Sequence, residues 1–172
     1  MLSDFGNDRT KEYLLSFSCP KNRDVESFLH VKSIRFEKAD VTRTYLILDD
    51  HGFILAYFSL TFKELLVNNF AISKTKIKKF NGISKNANTI KVYLIGQVAK
   101  NFSLNENPIK FKDIFLYAKN IINISKTLIG GRVIALECEN TPQLIALYMK
   151  HGLEKLPTKG ESNSLITMLF NH

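Results

Sequence analysis

The chain has few of the cysteines with which small proteins form disulfides or metal sites. It contains two cysteines among 172 residues, Cys19 and Cys138, whose separation fits neither a zinc-binding nor a redox spacing. A chain of this length can bury roughly 70% of its unfolded surface, so it needs no such links to fold. It also lacks an apolar signal segment at its start and any apolar run of about 18 residues, the length of a membrane span. We therefore expect a cytoplasmic protein without a metal site and without a membrane segment.

Acidic residues are the minority among the charged ones. There are 16 Asp and Glu against 24 Lys and Arg, which gives a formal net charge of +8. Much of the excess lies in lysines of the middle of the chain: Lys74, Lys76, Lys78, Lys79, Lys85, Lys91, Lys100, Lys110 and Lys112. Such a field attracts polyanions such as nucleic acid, a phosphorylated cofactor or an acidic protein. Solubility alone explains the charge equally well.

The clearest structural signal in the first half is a hairpin. Arg43–Leu48 and Phe53–Phe62 are apolar stretches of strand length, separated by the sequence DDHG at 49–52. Gly52 can adopt the positive φ of a tight turn. The two strands are therefore predicted to pair antiparallel.

The segments on either side of the hairpin have weaker patterns. Before it, weak alternation predicts a short strand at Glu12–Ser18, and apolar spacing predicts a helix from an Asp24 cap through Lys38. After it, Lys63–Asn88 is basic and polar, with a short helix expected near Glu64–Asn69 and a long loop otherwise.

The second half has the order strand, helix, strand, helix and two closing strands. The predicted elements are Lys91–Lys100, Phe111–Lys126, Arg132–Cys138, a helix capped by Asn140 or Thr141 that starts at Pro142 and stops at Gly152, Leu153–Leu156 and Leu165–Phe170. A strand, helix and strand at this spacing form a parallel pair with a right-handed crossover. The layout is that of one mixed α/β domain over residues 1–172, with two parallel strands and the rest mostly antiparallel.

The last helix carries the most specific pattern in the chain. It combines Asn140, Ala146, the pair Leu147-Tyr148 and the pair Gly152-Leu153. This resembles the last-helix pattern of the GNAT acetyltransferase superfamily, with Leu153 in place of the usual Phe. Upstream, FSCPKNRDVESFL and TRTYLILDDHGFILAYFSL are similar to a branch that includes toxin-type acetyltransferases of aminoacyl-tRNA and related proteins of Gram-positive bacteria and their mobile elements. The matches span about Phe17 to Phe170.

The resemblance implies a GNAT fold and a binding edge for acetyl-CoA. The implied fold is a mostly antiparallel sheet of about six to seven strands, flanked by about four helices, in which a central parallel pair splays apart. The pantetheine arm would pair with the strand after Gly96, a glycine whose place inside a strand marks a bulge or a close approach. A backbone N–H of Val98 or Ala99 would receive the acetyl carbonyl and then the oxyanion. The implied binding residues on this edge are Gln97, Val98, Ala99 and Lys100.

Tyr148 is the implied catalytic acid. A free tyrosine has a pKa near 10 and is protonated at pH 7, so it can donate to the departing thiolate of CoA. The alternative is a core tyrosine that packs with Leu144 and Leu147.

The start of the central helix departs from the family pattern. The family has Gln/Arg-x-x-Gly-x-Gly/Ala there, whose backbone N–H groups wrap the pyrophosphate. Here the stretch is NPIKFKD at 107–113, without glycine. We expect the helix terminus and two lysines to take over this role. The predicted cofactor-binding residues in this half and on the last helix are Lys110, Phe111, Lys112, Asp113, Asn140 and Tyr148.

The predicted activity is transfer of acetyl from acetyl-CoA to a primary amine, on aminoacyl-tRNA, a small molecule or a protein. The general base is left open among four acidic residues, Asp50, Glu64, Glu137 and Glu139, of which the last two are interpreted as solvent-facing or helix-capping. The expected partners are acetyl-CoA, an amine acceptor that can be linked to tRNA, and a second copy if the protein is a homodimer. The alternative is a degenerate GNAT-fold binding module that uses its basic surface to hold nucleic acid or a protein.

Overall fold

The structure is a computed structural model that describes residues 7–159 and 165–171. Its helices are α1 (Asn7–Leu14), α2 (Arg23–Ser27), α3 (Ser33–Lys38), α4 (Lys74–Asn81), α5 (Phe111–Ile129) and α6 (Pro142–Lys150). Its strands are β1 (Arg43–Leu48), β2 (Ile54–Leu66), β3 (Thr89–Lys100), β4 (Val133–Glu139), β5 (Glu154–Lys155) and β6 (Leu165–Asn171). In the described residues the strands form one six-stranded sheet in the order β1-β2-β3-β4-β6-β5. The sheet is mostly antiparallel with one parallel pair, so the predicted mixed α/β class is confirmed.

The chain divides into two compact units. Unit 1 comprises Met1–Thr61 and Gln97–Lys119, and unit 2 comprises Phe62–Gly96 and Asn120–His172. The core of unit 1 is built from Leu14, Phe17, Cys19, Phe28, Leu29, Ile54, Tyr57 and Ala99. The core of unit 2 includes Leu65, Val67, Phe70, Ile77, Phe80, Ile90, Val92, Leu94, Val133, Ala135, Leu156 and Leu169. That one domain spans residues 1–172 stays a prediction.

The first helix replaces a predicted strand. The prediction of a strand at Glu12–Ser18 is wrong, because α1 continues to Leu14. Thr10 and Leu14 lie four residues apart, which places them on one helical face, and both are buried, at 4% and 0% exposure. The hydroxyl of Tyr13 donates to the carbonyl of Gly52 and so attaches the helix to the hairpin turn.

The second helical region is confirmed, with a different cap. It consists of α2, a π-helical turn at Phe28–Lys32 and α3 in succession. Asn22 caps it instead of Asp24: its Oδ1 accepts from the N–H groups of Asp24, at 3.1 Å, and Val25, at 3.3 Å. The carboxylate of Asp24 then lies in the first turn, where the helix dipole favours negative charge.

The hairpin of β1 and β2 is confirmed. Asp49 closes the turn, since its Oδ1 accepts from the N–H groups of His51, at 2.9 Å, and Phe53, at 2.8 Å. Gly52 has φ of +85°, which an L side chain rarely adopts. The strands pair antiparallel from Arg43↔Leu60 onward.

Of the short helix predicted near Glu64–Asn69, only a 3-10 turn at Val67–Asn69 is present, and the long loop predicted for the rest of Lys63–Asn88 is wrong. β2 extends to Leu66, and a 3-10 turn at Val67–Asn69 follows it directly. The turn is fixed by backbone bonds, since the N–H of Val67 donates to the carbonyl of Asn88 at 2.8 Å. The segment thus consists largely of regular structure.

Helix α4 lies inside this segment. Ser73 caps it, with its Oγ accepting from the N–H of Lys76 at 3.2 Å. Its two buried residues, Ile77 and Phe80, enter the core of unit 2. Gly82 ends it with φ of +90°, and a Cβ added there would lie 2.7 Å from Cζ of Arg132.

The predicted parallel pair is β3 and β4. The register runs from Tyr93↔Ile134 to Ile95↔Leu136, so it ends at the residue before Gly96. At the opposite end the ring of Tyr93 covers the turn between α5 and β4. The Tyr93 hydroxyl donates to the carbonyl of Gly130, and a Cβ on Gly131 would lie 2.6 Å from Cε2 of the ring. Only glycine fits at position 131, because its φ is also +101°.

The last helix and the closing strands are confirmed. Thr141 is the N-cap of α6, Pro142 is its first residue, and Gly152, with φ of +83°, follows its end. None of the helices within 7–159 and 165–171 has both the length and the apolar character of a membrane span.

Candidate active site

The predicted binding edge of β3 lies in unit 1. Ala99 is 8% exposed and belongs to the core of that unit, while Gln97 and Val98 are half-buried. The ammonium of Lys100 donates to the carbonyl of Asn107, which ties the strand to the loop that leads into α5. In this structure Lys100 therefore acts as a link within the protein.

Asn101, the residue after β3, fixes that loop from inside. It is 1% exposed, and its Oδ1 accepts from the N–H groups of Ser18 and Ser103, both at 2.9 Å. Its Nδ2 donates to the carbonyl of Ile54 at 2.7 Å. Three separate stretches of unit 1 thus converge on one amide side chain.

The glycine-free start of α5 has its own internal cap. Oδ2 of Asp113 accepts from the backbone N–H of Lys110 at 2.9 Å. The carbonyl of Lys110 in turn accepts from the N–H groups of Asp113, at 3.0 Å, and Ile114, at 3.3 Å. This is the reciprocal half of a capping box, which satisfies donors that a helix start otherwise leaves open.

The cap limits what the α5 terminus can offer a phosphate. The N–H of Lys110 is taken by a carboxylate, and that carboxylate adds a negative charge to the first turn. Lys110 and Lys112 are both exposed and supply two compensating ammonium groups. Phe111 stacks on Phe115, with ring centroids 5.5 Å apart. The terminus can therefore bind an anion through side-chain charge more than through a backbone cradle.

Tyr148 lies on α6 in unit 2. It is 6% exposed, whereas Leu144 and Leu147, its suggested core partners, are only half-buried. Burial raises the pKa of Tyr148 above its ordinary value of 10, and the neighbouring Cys138 adds to this rise in pKa. The phenol is thus protonated at neutral pH.

Asn140 lies just before α6. It is exposed, and the N–H of the following Thr141 donates to the carbonyl of Glu139 at 2.8 Å. Both cysteines of the chain are buried free thiols.

The four acidic candidates for a general base lie in different parts of the structure. Asp50 lies in the hairpin turn of unit 1, and Glu139 is exposed at the end of β4. Glu64 and Glu137 line the same cavity in unit 2, and Glu137 is paired with Lys63. The sequence pattern did not reveal this cavity, because its residues come from four separate stretches of chain.

Within 7–159 and 165–171, no group of three or more His, Cys, Asp and Glu side chains is arranged to hold a metal ion.

Comparison with known proteins gives matches at the level of structure only. The sequence matches no protein-family profile and no curated protein sequence. A structure of AtaT complexed with acetyl-methionyl-tRNAfMet is 19% identical, covers 90% of this chain and 85% of its own, and superposes with a TM-score of 0.68. A bacterial toxin is 13% identical, with 98% and 86% covered and a TM-score of 0.71. A KacT variant in which one tyrosine is replaced by phenylalanine is 16% identical, with 90% and 85% covered and a TM-score of 0.65.

These similarities establish the fold. The chain has the fold of the toxin-type GNAT acetyltransferases, as the sequence predicted. At identities this low a shared fold does not by itself transfer an activity or a substrate.

Proposed function

We propose that the protein is an N-acetyltransferase that moves acetyl from acetyl-CoA to a primary amine. The observation that carries the proposal is a buried tyrosine, Tyr148, on the last helix of a fold shared with AtaT and KacT. An AtaT variant bound to the C-terminus of the antitoxin AtaR has also been solved with acetyl-CoA. A further AtaT structure, like that of KacT, is of a variant with one tyrosine replaced by phenylalanine.

The reaction is direct attack of an uncharged amine on the thioester. The amine nitrogen bonds to the carbonyl carbon, the carbon–sulfur bond breaks, and the thiolate receives a proton as the amine loses one. A backbone N–H of Val98 or Ala99 stabilises the oxyanion, and Tyr148 is the donor to the sulfur.

The environment of Tyr148 changes how the acid works. Since burial raises the pKa of the phenol far above that of a thiol in water, complete proton transfer to a solvated thiolate would be uphill. A thiolate that forms against the same buried surface is also desolvated, which raises its own pKa. Tyr148 therefore acts first as a hydrogen-bond donor to the developing charge, and the proton moves as that charge completes.

Binding of the donor uses charge at the α5 terminus. Lys110 and Lys112 bind the phosphates of acetyl-CoA, with Phe111 and Asp113 in the same turn, and the edge Gln97–Lys100 pairs with pantetheine. Asn140 is the binding residue that precedes α6. Because Asp113 already holds the N–H of Lys110, we expect weaker binding than a glycine-rich cradle provides.

The acceptor is proposed to be an amine linked to tRNA, as in the AtaT complex with acetyl-methionyl-tRNAfMet. The basic surface around α4 is suited to phosphates, but two of its lysines are engaged: Glu154 pairs with Lys76 at 2.7 Å and with Lys79 at 3.5 Å. The remaining exposed lysines of this stretch are Lys74, Lys78, Lys85 and Lys91. Activity on tRNA should fall steeply with salt, whereas insensitivity to salt would point to a small amine or a protein.

The test is acetyl transfer by purified Tyr148→Phe, followed as CoA release. We expect kcat to fall by about 10²–10⁴, the usual contribution of a general acid. Tyr117→Phe is the matched control, because Tyr117 is 52% exposed on α5. If Tyr148→Phe is folded and fully active, the role assigned to Tyr148 is wrong.

The capped start of α5 favours one second candidate, a GNAT-fold binding module that no longer uses acetyl-CoA. Its basic surface would hold nucleic acid or a protein. Calorimetric titration with acetyl-CoA separates the two proposals. The absence of both heat and a thermal shift would overturn the transferase and leave the binding module.

A further inference from the structure

A polar cavity of about 800 Å³ lies within unit 2. Its walls come from the end of β2, the 3-10 turn at Val67–Asn69, and the ends of β4 and β6. The polar residues that matter here are Lys63, Glu64, Asn68, Asn69, Glu137 and Thr167. The volume lies in the range of small-molecule sites.

The wall around the 3-10 turn is built by backbone bonds. The N–H of Lys159 donates to the carbonyl of Asn69 at 3.0 Å, and that of Ala71 donates to the carbonyl of Pro157 at 2.7 Å. Phe70 and Thr158 form an antiparallel bridge between these two bonds. The asparagine side chains are thus carried by an anchored turn, which favours a preformed site.

The charged residues that line the cavity are Lys63, Lys159, Glu64 and Glu137, and the ion pair between Lys63 and Glu137 is easily opened. Glu137 pairs with Lys63 at 3.3 Å, with side chains 35% and 38% exposed. An ion pair this exposed contributes little to stability, so an incoming ammonium can displace Lys63 from the carboxylate. Glu64 also lines the cavity, but it follows Lys63 on β2, so its side chain projects to the other face of the strand.

The cavity and Tyr148 use opposite faces of β4. Side chains alternate along a strand, so Glu137 and Cys138 project to different faces. Cys138 acts on the pKa of Tyr148, which places the tyrosine on the Cys138 face. Glu137 is directly opposite Thr167 of β6 on the other face. The amine nitrogen and the thiolate sulfur bond to the same carbonyl carbon, so an acceptor in this cavity must reach the thioester beyond the paired part of β3 and β4, which ends before Gly96.

We propose that this cavity binds the acceptor as a primary ammonium ion that carries further polar groups, with Glu137 as the carboxylate that pairs with it. Before attack the ammonium passes one proton through Glu137 to solvent, because only the uncharged nitrogen has a free electron pair. Lys63 occupies that carboxylate until the acceptor arrives. The asparagines at 68 and 69 bind the polar groups. That the bound amine is the one acetylated rests on the proposed transferase function, whereas the binding itself does not.

Binding can be measured without acetyl-CoA. Norleucine methyl ester and its N-acetyl derivative share the side chain and the ester, but only the first carries a primary ammonium. Each is titrated into the full chain while the backbone amide NMR signals of Asn68, Asn69 and Thr158 are followed. We expect saturable shifts in these signals, with norleucine methyl ester bound at least about tenfold more tightly, as expected for one charged hydrogen bond.

Three variants make the test specific. Glu137→Gln should weaken binding at least about tenfold, because it removes the charge and keeps the shape. Lys63→Met should tighten binding, because it removes the ammonium that competes for Glu137. Glu12→Gln, at an exposed position of α1 outside the cavity, should bind like the wild type. No shifts in the wild type, or equal affinity of wild type and Glu137→Gln, would overturn the proposal.

An acetylation assay with norleucine methyl ester keeps the two proposals apart. If the amine binds through Glu137 and no acetyl is transferred, the transferase proposal fails and the binding site stands. If acetyl transfer occurs with the same KM in wild type and Glu137→Gln, the cavity is not the acceptor site and the transferase stands.

Discussion

Replacement of Asn101 by alanine should lower the stability of unit 1 strongly, because this small side chain makes several hydrogen bonds. In Asn101→Ala, the N–H groups of Ser18 and Ser103 lose their acceptor, and the carbonyl of Ile54 loses a donor. Each unsatisfied buried group costs about 1–3 kcal/mol. Because Ser18 and Ser103 are not fully buried, water can reach some of these groups, and we take the low end, about 1 kcal/mol for each. The expected loss is about 3 kcal/mol, a large part of the roughly 5–15 kcal/mol that stabilises a typical protein.

Urea unfolding measures this loss directly. The midpoint should fall in Asn101→Ala while the slope of free energy against urea stays that of the wild type. The melting temperature should drop by about 6–12 °C, at about 2–4 °C for each kcal/mol in a chain of this size. Asn105→Ala, at an exposed position of the same loop, is the control and should change neither value. A loss of less than about 1 kcal/mol in Asn101→Ala would show that water replaces the amide and that the convergence of bonds is not structural.

Two further predictions concern a glycine and a pH profile. Gly82→Ala should lower the free energy of unfolding by about 1–2 kcal/mol, because φ of +90° disfavours an L side chain and the new Cβ would lie 2.7 Å from Arg132 Cζ. Denaturant unfolding measures this change. In the control Gly52→Ala the new Cβ meets nothing within 4 Å, so its effect gives the backbone strain without the contact. Between pH 7 and 10, kcat should not fall through ionisation of Tyr148, because burial raises the pKa of Tyr148 above 10 and keeps the donor protonated. The pH profile of Tyr148→Phe gives the baseline. A fall in kcat near pH 9 that is present only in the wild type would refute the buried environment assigned to Tyr148.

Elements with an unambiguous period were predictable. The hairpin followed from strand-length apolar runs on either side of a turn with Gly52, and α6 followed from Pro142 at its start and Gly152 after its end. The parallel pair followed from connectivity, because a helix of the length of α5 must cross over the sheet.

The two errors in the fold have a shared cause. In α4 only Ile77 and Phe80 are buried, and a helix with one apolar turn among lysines has too few apolar positions to display a period. In α1 the buried pair Thr10 and Leu14 includes a polar residue, so the helical face is not apolar in sequence.

In the candidate site, too, the predictions came from local sequence patterns, whereas contacts between distant stretches of the chain were missed. Tyr148 was predicted from a local pattern of residues, and its catalytic role stays a proposal. Glu137 was interpreted as solvent-facing or capping, and its pairing with Lys63 depends on contacts between distant stretches, which no local pattern records. The cap from Asp113 to Lys110 is local, yet its meaning depends on which donors a helix start leaves open.

The contact of Tyr93 with the Gly130-Gly131 turn helps to set the face of the sheet to which each residue of β4 projects. The ring fixes where the chain enters β4, and from there the face of each residue depends only on whether its distance along the strand is odd or even. A shift of β4 by one residue would exchange the faces of Glu137 and Cys138 and also those of the buried residues 133–136, which pack on both sides of the strand. A residue inserted after Gly131 is therefore expected to lengthen the turn, and the loss of its contact with Tyr93 would be the sign that the turn had absorbed it.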